Sequence, residues 1–208
     1  MQGLKNRWAQ LALLSIANLF AGSLYSWSIL SAALAQKLSV GGEAVSAADL
    51  GWIFGLASAV NPIAMIAGGW VNDRLGPKLS LCAGGLMIGM GLVLASAAES
   101  TAMLALAYGV CFGLGVGLSY VSTIGTSMRL FADRKGLAGG IVTMAYGLSS
   151  MMIPPLAAAL ISGYGVSTAM STLGFICGGV IVSCGLLAIN PDGGRERGLP
   201  SAGGRESE

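Results

Sequence analysis

The chain has 208 residues, 54% of them hydrophobic and only 10% charged, with a mean hydropathy of +0.76. A soluble domain is roughly a quarter charged, so this composition excludes one. The net charge of +2 gives no footprint for nucleic acid, and the absence of histidine excludes His-based metal sites and Ser-His or Cys-His catalysis.

In chain order, six apolar runs cover about 9–35, 50–71, 79–98, 102–128, 138–162 and 167–189, and none contains Asp, Glu, Lys or Arg. A hydrocarbon core about 30 Å thick needs about 20 apolar residues of helix. One charge at its centre costs roughly 2.5–3.5 kcal/mol. The runs are continuous rather than alternating, which favours helices over a barrel. The predicted fold is therefore an all-α membrane protein of six transmembrane helices over residues 1–190. Residues 191–208 are rich in Gly, Pro, Ser and charge, and are expected to form a disordered tail.

The first run follows Lys5 and Arg7 and ends near an Ala-Leu-Ala triplet, as a cleaved signal would. It is longer than the roughly 7–15 residues of a signal core, and it carries Asn18, Tyr25 and Trp27, so a retained helix is expected. Ten of the eleven basic residues lie on alternate loops, Lys37 being the exception. Positive loops face the cytoplasm, which places both termini there, in agreement with an even number of spans. Ser46 to Asp49 has capping-box spacing before the second run, and Glu99 and Ser100 precede the fourth, where an acid suits a helix N-terminus.

Gly51 and Gly55, Gly85 and Gly89, and Gly109, Gly113 and Gly117 form small-residue stripes that let helices approach closely in lipid. Pro62 and the Pro154–Pro155 pair are expected to kink their helices, with Ser149 and Ser150 able to satisfy the freed carbonyls. Tyr25, Trp27, Asn61, Tyr120, Thr123 and Tyr146 are polar or aromatic residues deep in the runs, together with Asn18 and Thr143. They are candidates for the wall of an internal cavity, where tyrosine hydroxyls can bind a carboxylate. An interfacial aromatic belt is the plainer reading of Tyr25 and Trp27. The four cysteines all fall inside runs, as small apolar residues. No metal or cofactor is expected.

Between the second and third runs stands Gly-Trp-Val-Asn-Asp-Arg-Leu-Gly-Pro-Lys, Gly69 to Lys78. Its Gly69, Asp73, Arg74, Gly76 and Lys78 resemble the signature between helices two and three of the major facilitator superfamily, with Pro77 where many members have a basic residue. NLFAGSLYSWSIL in the first run, RLFADRKGLAGGI after the fourth and GLSSMMIPPL in the fifth resemble the oxalate/formate antiporters of that superfamily, which are similar to mono- and dicarboxylate carriers. The resemblance implies a secondary transporter: the first six helices of a twelve-helix fold, built from inverted three-helix repeats. An intramembrane enzyme is not expected, since the spans offer neither a polarised nucleophile–base set nor buried carboxylates. It implies that Asp73 and neighbouring cations, Arg74, Arg129 and Arg134 beside Asp133, latch a cytoplasmic gate. It also implies a small organic anion as substrate, and as partners the bilayer and a second six-helix half or a second copy. In the resembled family the substrate-binding cations belong to the second half. A six-helix self-associating module or channel is the alternative reading.

Overall fold

The computed structural model describes residues 6–40 and 46–189; the tail expected to be disordered lies outside them. Every regular element among the described residues is helical. These are α1 (Arg7–Ala21), a 3₁₀ turn (Gly22–Ser26), α2 (Trp27–Val40), α3 (Gly51–Leu75), α4 (Pro77–Ser96), α5 (Thr101–Leu104), a π-helical segment (Ala105–Phe112), α6 (Gly113–Leu130) and α7 (Lys135–Leu187). Five continuous helices are long and apolar enough to cross a membrane: Arg7–Ser39, Gly51–Leu75, Pro77–Ser96, Thr101–Leu130 and Lys135–Leu187.

The count differs from the six apolar runs because the last two are joined in α7. The junction is Gly165, the single residue of α7 with non-helical dihedrals, φ 80° and ψ 163°. Straight, 53 residues of helix would extend about 80 Å. Yet both ends of α7 sit by the first turns of α1. Arg7 bonds Asp133 just before α7, and Gln10 bonds the Leu187 carbonyl and the Ile189 N–H at its close. The chain therefore reverses at Gly165. Gly76, between α3 and α4, has nearly the same dihedrals, φ 83° and ψ 165°, a region open essentially to glycine alone. The backbone remains helical through Pro62, Pro154 and Pro155. Ser150 donates to the Gly147 carbonyl, and Ser149 finds no partner, so neither serine satisfies the carbonyls the prolines free.

Helix starts follow local chemistry. Ser46 and Asp49 form a reciprocal cap: the Ser46 N–H and hydroxyl donate to the Asp49 carboxylate, and the Asp49 N–H donates to the hydroxyl. These bonds hold the Asp49 carboxyl below its ordinary range. Ser100 caps α5 by accepting from the Met103 N–H, and the Lys37 ammonium donates to the Ser96 carbonyl near the end of α4.

Glycine sets the seams. A Cβ at Gly113 would lie 3.0 Å from the Ala57 carbonyl, and one at Gly117 would lie 2.5 Å from that of Asn61, so α6 rests on the backbone of α3. A Cβ at Gly178 would lie 2.9 Å from the Gly89 Cα, joining α4 to the second arm of α7. Two of the three stripes are thus consumed inside the bundle, while Gly51 and Gly55 face open space.

Two outcomes test this account. Gly165→Ala and Gly76→Ala each lower stability by about 1–3 kcal/mol, whereas Gly163→Ala, in open helical space, is neutral or stabilising by up to about 1 kcal/mol; thermal unfolding in detergent reads the difference. The Ser46–Asp49 cap is complete above the ordinary carboxylate pKa of about 3.9 and is lost as pH falls through the depressed native value. Amide exchange at residues 50–53, compared with that at a helix without a carboxylate cap, therefore accelerates selectively in acid.

Candidate functional site

The structure gathers most of the candidate residues into two places, one midway along the bundle and one at the end where the described chain begins and ends. The first forms because Gly22 has no side chain. A Cβ there would lie 2.6 Å from the Ser149 hydroxyl and 2.7 Å from the Tyr146 carbonyl. The 3₁₀ turn can therefore press against α7, which puts the Tyr25 ring edge-on to Tyr146 at 5.7 Å between centroids. Tyr120, from α6, meets the same ring edge-on at 4.9 Å. Such T-shaped pairs are the favoured aromatic geometry. Tyr25 is exposed, and Tyr120 and Tyr146 are half-buried, so three phenols from three segments share one open face.

Behind this face lies a buried polar bond system. The Asn18 amide donates to the Val142 carbonyl at 2.8 Å, and the Thr123 hydroxyl lies 3.1 Å from the Asn18 side-chain oxygen and 2.9 Å from the Tyr120 carbonyl. One hydroxyl proton serves either acceptor. Thr123 therefore ties α6 to α1, and Asn18 ties α1 to α7, beneath the tyrosines.

The other candidates lie elsewhere. Trp27 turns into the core, where it is 6% exposed and packs on Tyr108 at 4.4 Å. Asn61 is half-buried on α3, its carbonyl against Gly117. Thr143 is exposed on α7. An apolar groove of about 420 Å³ runs between α4 and the second arm of α7 over Gly85, Gly89, Gly174 and Gly178, and none of the tyrosines lines it.

The second place is ionic. Asp73, in the last turn of α3, pairs with Arg129 in the last turn of α6. Asp133 pairs with Arg7 at 2.9 Å and lies 3.9 Å from Arg134. The Arg7 guanidinium also sits 4.9 Å above the Phe131 ring, which Trp8 meets edge-on. Arg74 does not share in the Asp73 pair; its guanidinium stacks on Trp70 at 4.4 Å. Lys78 is exposed, and Gly69 is half-buried with open space where a Cβ would stand. Gly76 makes the turn, its N–H bonded to the Asn72 carbonyl.

Buried Asn72 accepts from the Ser122 hydroxyl at 3.1 Å, and the same hydroxyl lies 3.4 Å from the Pro77 carbonyl. These bonds anchor the turn to α6. The ion pairs around it are partly exposed, and such pairs are worth about 0–1 kcal/mol each.

Sequence reasoning did not single out Gly22, Asn72 or Tyr108, and took Asn18 for a cavity-wall candidate, whereas it is buried and bonds between helices. The available signal was a polar side chain inside an apolar run, which must find a partner in lipid. Nothing in the sequence identified the partner.

The family model of the Major Facilitator Superfamily matches residues 11–207. The chain is 31% identical over 180 residues to the oxalate:formate antiporter of Oxalobacter formigenes, covering 86% of this chain and 42% of the relative. It is 31% identical over 147 residues to the uncharacterised MFS-type transporter YhjX of Escherichia coli K12, covering 71% and 35%. It is 32% identical over 118 residues to monocarboxylate transporter 13 of Rattus norvegicus, covering 57% and 28%. These matches thus span between 28% and 42% of the relatives' own lengths. With the apolar helices and the Gly69–Lys78 turn, they establish that the chain is a multi-pass integral membrane protein belonging to the major facilitator superfamily.

Proposed function

We propose that the chain forms the N-terminal six-span half of a secondary carrier for small organic anions, mono- or dicarboxylates, working by alternating access. The observation that carries this reading is the Tyr25–Tyr146–Tyr120 cluster. Three phenolic donors from three helical segments converge on one face, and the relatives carry names of carboxylate transport. Hydroxyls placed so can donate to a carboxylate while the rings exclude water.

The reversal at Gly165 supports reading α7 as two spans. With α7 read as two spans the crossings number six and both described ends fall on one side, and the density of basic residues there supports reading that side as cytoplasmic. No Lys or Arg lies in the membrane-depth runs, so the cation that would complete the site comes from a second half. That half would cover the open face of α3, where Ile63, Ile66 and Trp70 are exposed. The alternative, a self-associating module, rests on Gly51 and Gly55, the stripe left open.

In this reading the Asp73–Arg129 pair holds the cytoplasmic ends of α3 and α6 together and favours the outward-facing state. Asp73→Asn shifts the inward–outward balance by up to about fivefold, the value of an exposed pair, and leaves substrate preference unchanged. Labelling of Tyr120→Cys from the cytoplasmic side reads the shift; equal labelling with and without Asp73→Asn refutes the latch. Tyr146→Phe lowers affinity for formate or oxalate by about 10-fold or more, the value of a hydrogen bond to a charged group, while Thr143→Ala does not. Carboxylate counterflow that is unchanged in Tyr25→Phe, Tyr120→Phe and Tyr146→Phe rejects the site.

A further inference from the structure

We propose that Tyr108 is a positioning residue for Tyr25: its buried hydroxyl fixes the 3₁₀ turn that aims the Tyr25 ring at Tyr146. The inference rests on the reading of the tyrosine cluster as the ligand site and adds to it a residue outside that cluster.

Two irregular segments face one another here. The turn Gly22–Ser26 is wound tighter than an α-helix, and the segment Ala105–Phe112 is wound wider. Short 3₁₀ and π segments inside long helices are costly relative to α-helix and recur at functional sites. They persist where surrounding contacts over-determine them. Tyr108, from the wide segment, supplies such a contact: its hydroxyl donates to the Leu24 carbonyl at 3.2 Å.

The Leu24 carbonyl already accepts the Trp27 N–H, the i to i+3 bond that defines the tight turn. A carbonyl has two lone pairs, and Tyr108 takes the second. In an α-helical continuation the Leu24 carbonyl would accept from Ser28, four residues on. Filling its second acceptor site from outside favours the tight form. Ser26 adds a bond from its own hydroxyl to the Ser23 carbonyl at 2.6 Å.

Tyr108 is itself held. It is fully buried, stacked on Phe112 at 4.5 Å and packed against Trp27 at 4.4 Å, so its hydroxyl has little freedom to leave Leu24. Tyr25 directly follows Leu24, and its backbone direction is set by the same turn. A relaxation of Gly22–Ser26 to α-helix would rotate residue 25 about the helix axis and carry its ring from Tyr146.

The test needs no ligand, so its result is separate from that of carboxylate binding. In the full chain in membranes, the rate at which a small maleimide labels Tyr25→Cys is followed by mass spectrometry, which resolves it from the four native cysteines. Met144→Cys, at an exposed site on α7, is the control. Tyr108→Phe keeps the ring and removes one hydrogen bond. The expected result is a change of about fivefold in labelling at Tyr25→Cys, with less than a twofold change at the control. Tyr108→Leu, which removes ring and hydroxyl, changes it at least as much. The proposal is overturned if Tyr108→Phe leaves both rates unchanged and only Tyr108→Leu alters them, since Tyr108 is then packing alone. It is equally overturned if Tyr108→Phe alters both sites alike.

Discussion

Lipid tails are as apolar as the side chains they surround, so water exclusion does not press membrane helices together and close backbone approach must do it. The bundle depends on that approach. Gly113 and Gly117 lay α6 on the carbonyls of α3, Gly178 meets Gly89 across the α4–α7 seam, and Gly22 lets the first span touch α7. Where backbones meet this closely, Cβ atoms are excluded and short polar side chains reach across. Asn18, Asn72, Ser122 and Thr123 do so, each bonded to a neighbouring helix. The same close contact that gives packing energy also creates the dry polar bonds that fix register.

The tyrosine face and the ionic end share one helix. Tyr120 and Thr123 stand on α6, and Arg129 closes it. From Tyr120 to Arg129 is nine residues, or about 13 Å of rise, within one uninterrupted α-helix. A tilt of α6 therefore moves a phenol at mid-depth and a guanidinium at the surface together. The Ser122 bond to Asn72 carries that movement into the Gly76 turn. The tyrosine face and the ionic end are joined mechanically through a short rod and one buried hydrogen bond.

Much of this was legible in the residues. Charge-free runs marked the helices because a buried charge in lipid is costly, and the charged Gly69–Lys78 stretch marked the break between α3 and α4. The Ser46–Asp49 cap could be read from spacing because its partners are three residues apart. Tyr25, Tyr120 and Tyr146 stood out as polar groups at membrane depth, and the structure brings them together. Trp27 stood out equally and lies in the core, because the tight turn at Gly22–Ser26 turns it toward Tyr108. Neither that turn nor the π-helical segment has a strong local signature; both are set by contacts made far along the chain. The fusion of the last two runs into α7 has a similar origin. The sequence separates those runs at 163–166, where Gly165 reverses the chain, but the reversal uses no loop or polar stretch, so helix continues on both sides of one residue.

The polar residues of α1 have a consequence for how the protein is made. Asn18 is completed by Thr123 and Val142, and Gln10 by Leu187 and Ile189, partners 105 to 179 residues downstream. α1 thus enters the bilayer with an Asn18 side chain whose bonding partners, Thr123 and Val142, lie 105 and 124 residues later. Until the helices carrying those partners have been synthesised, α1 is a metastable guest in lipid or is sheltered by the insertion machinery. Assembly of the bundle is for this reason a late event in biogenesis: the bonds that tie α1 to the end of α7 form when Leu187 and Ile189 arrive.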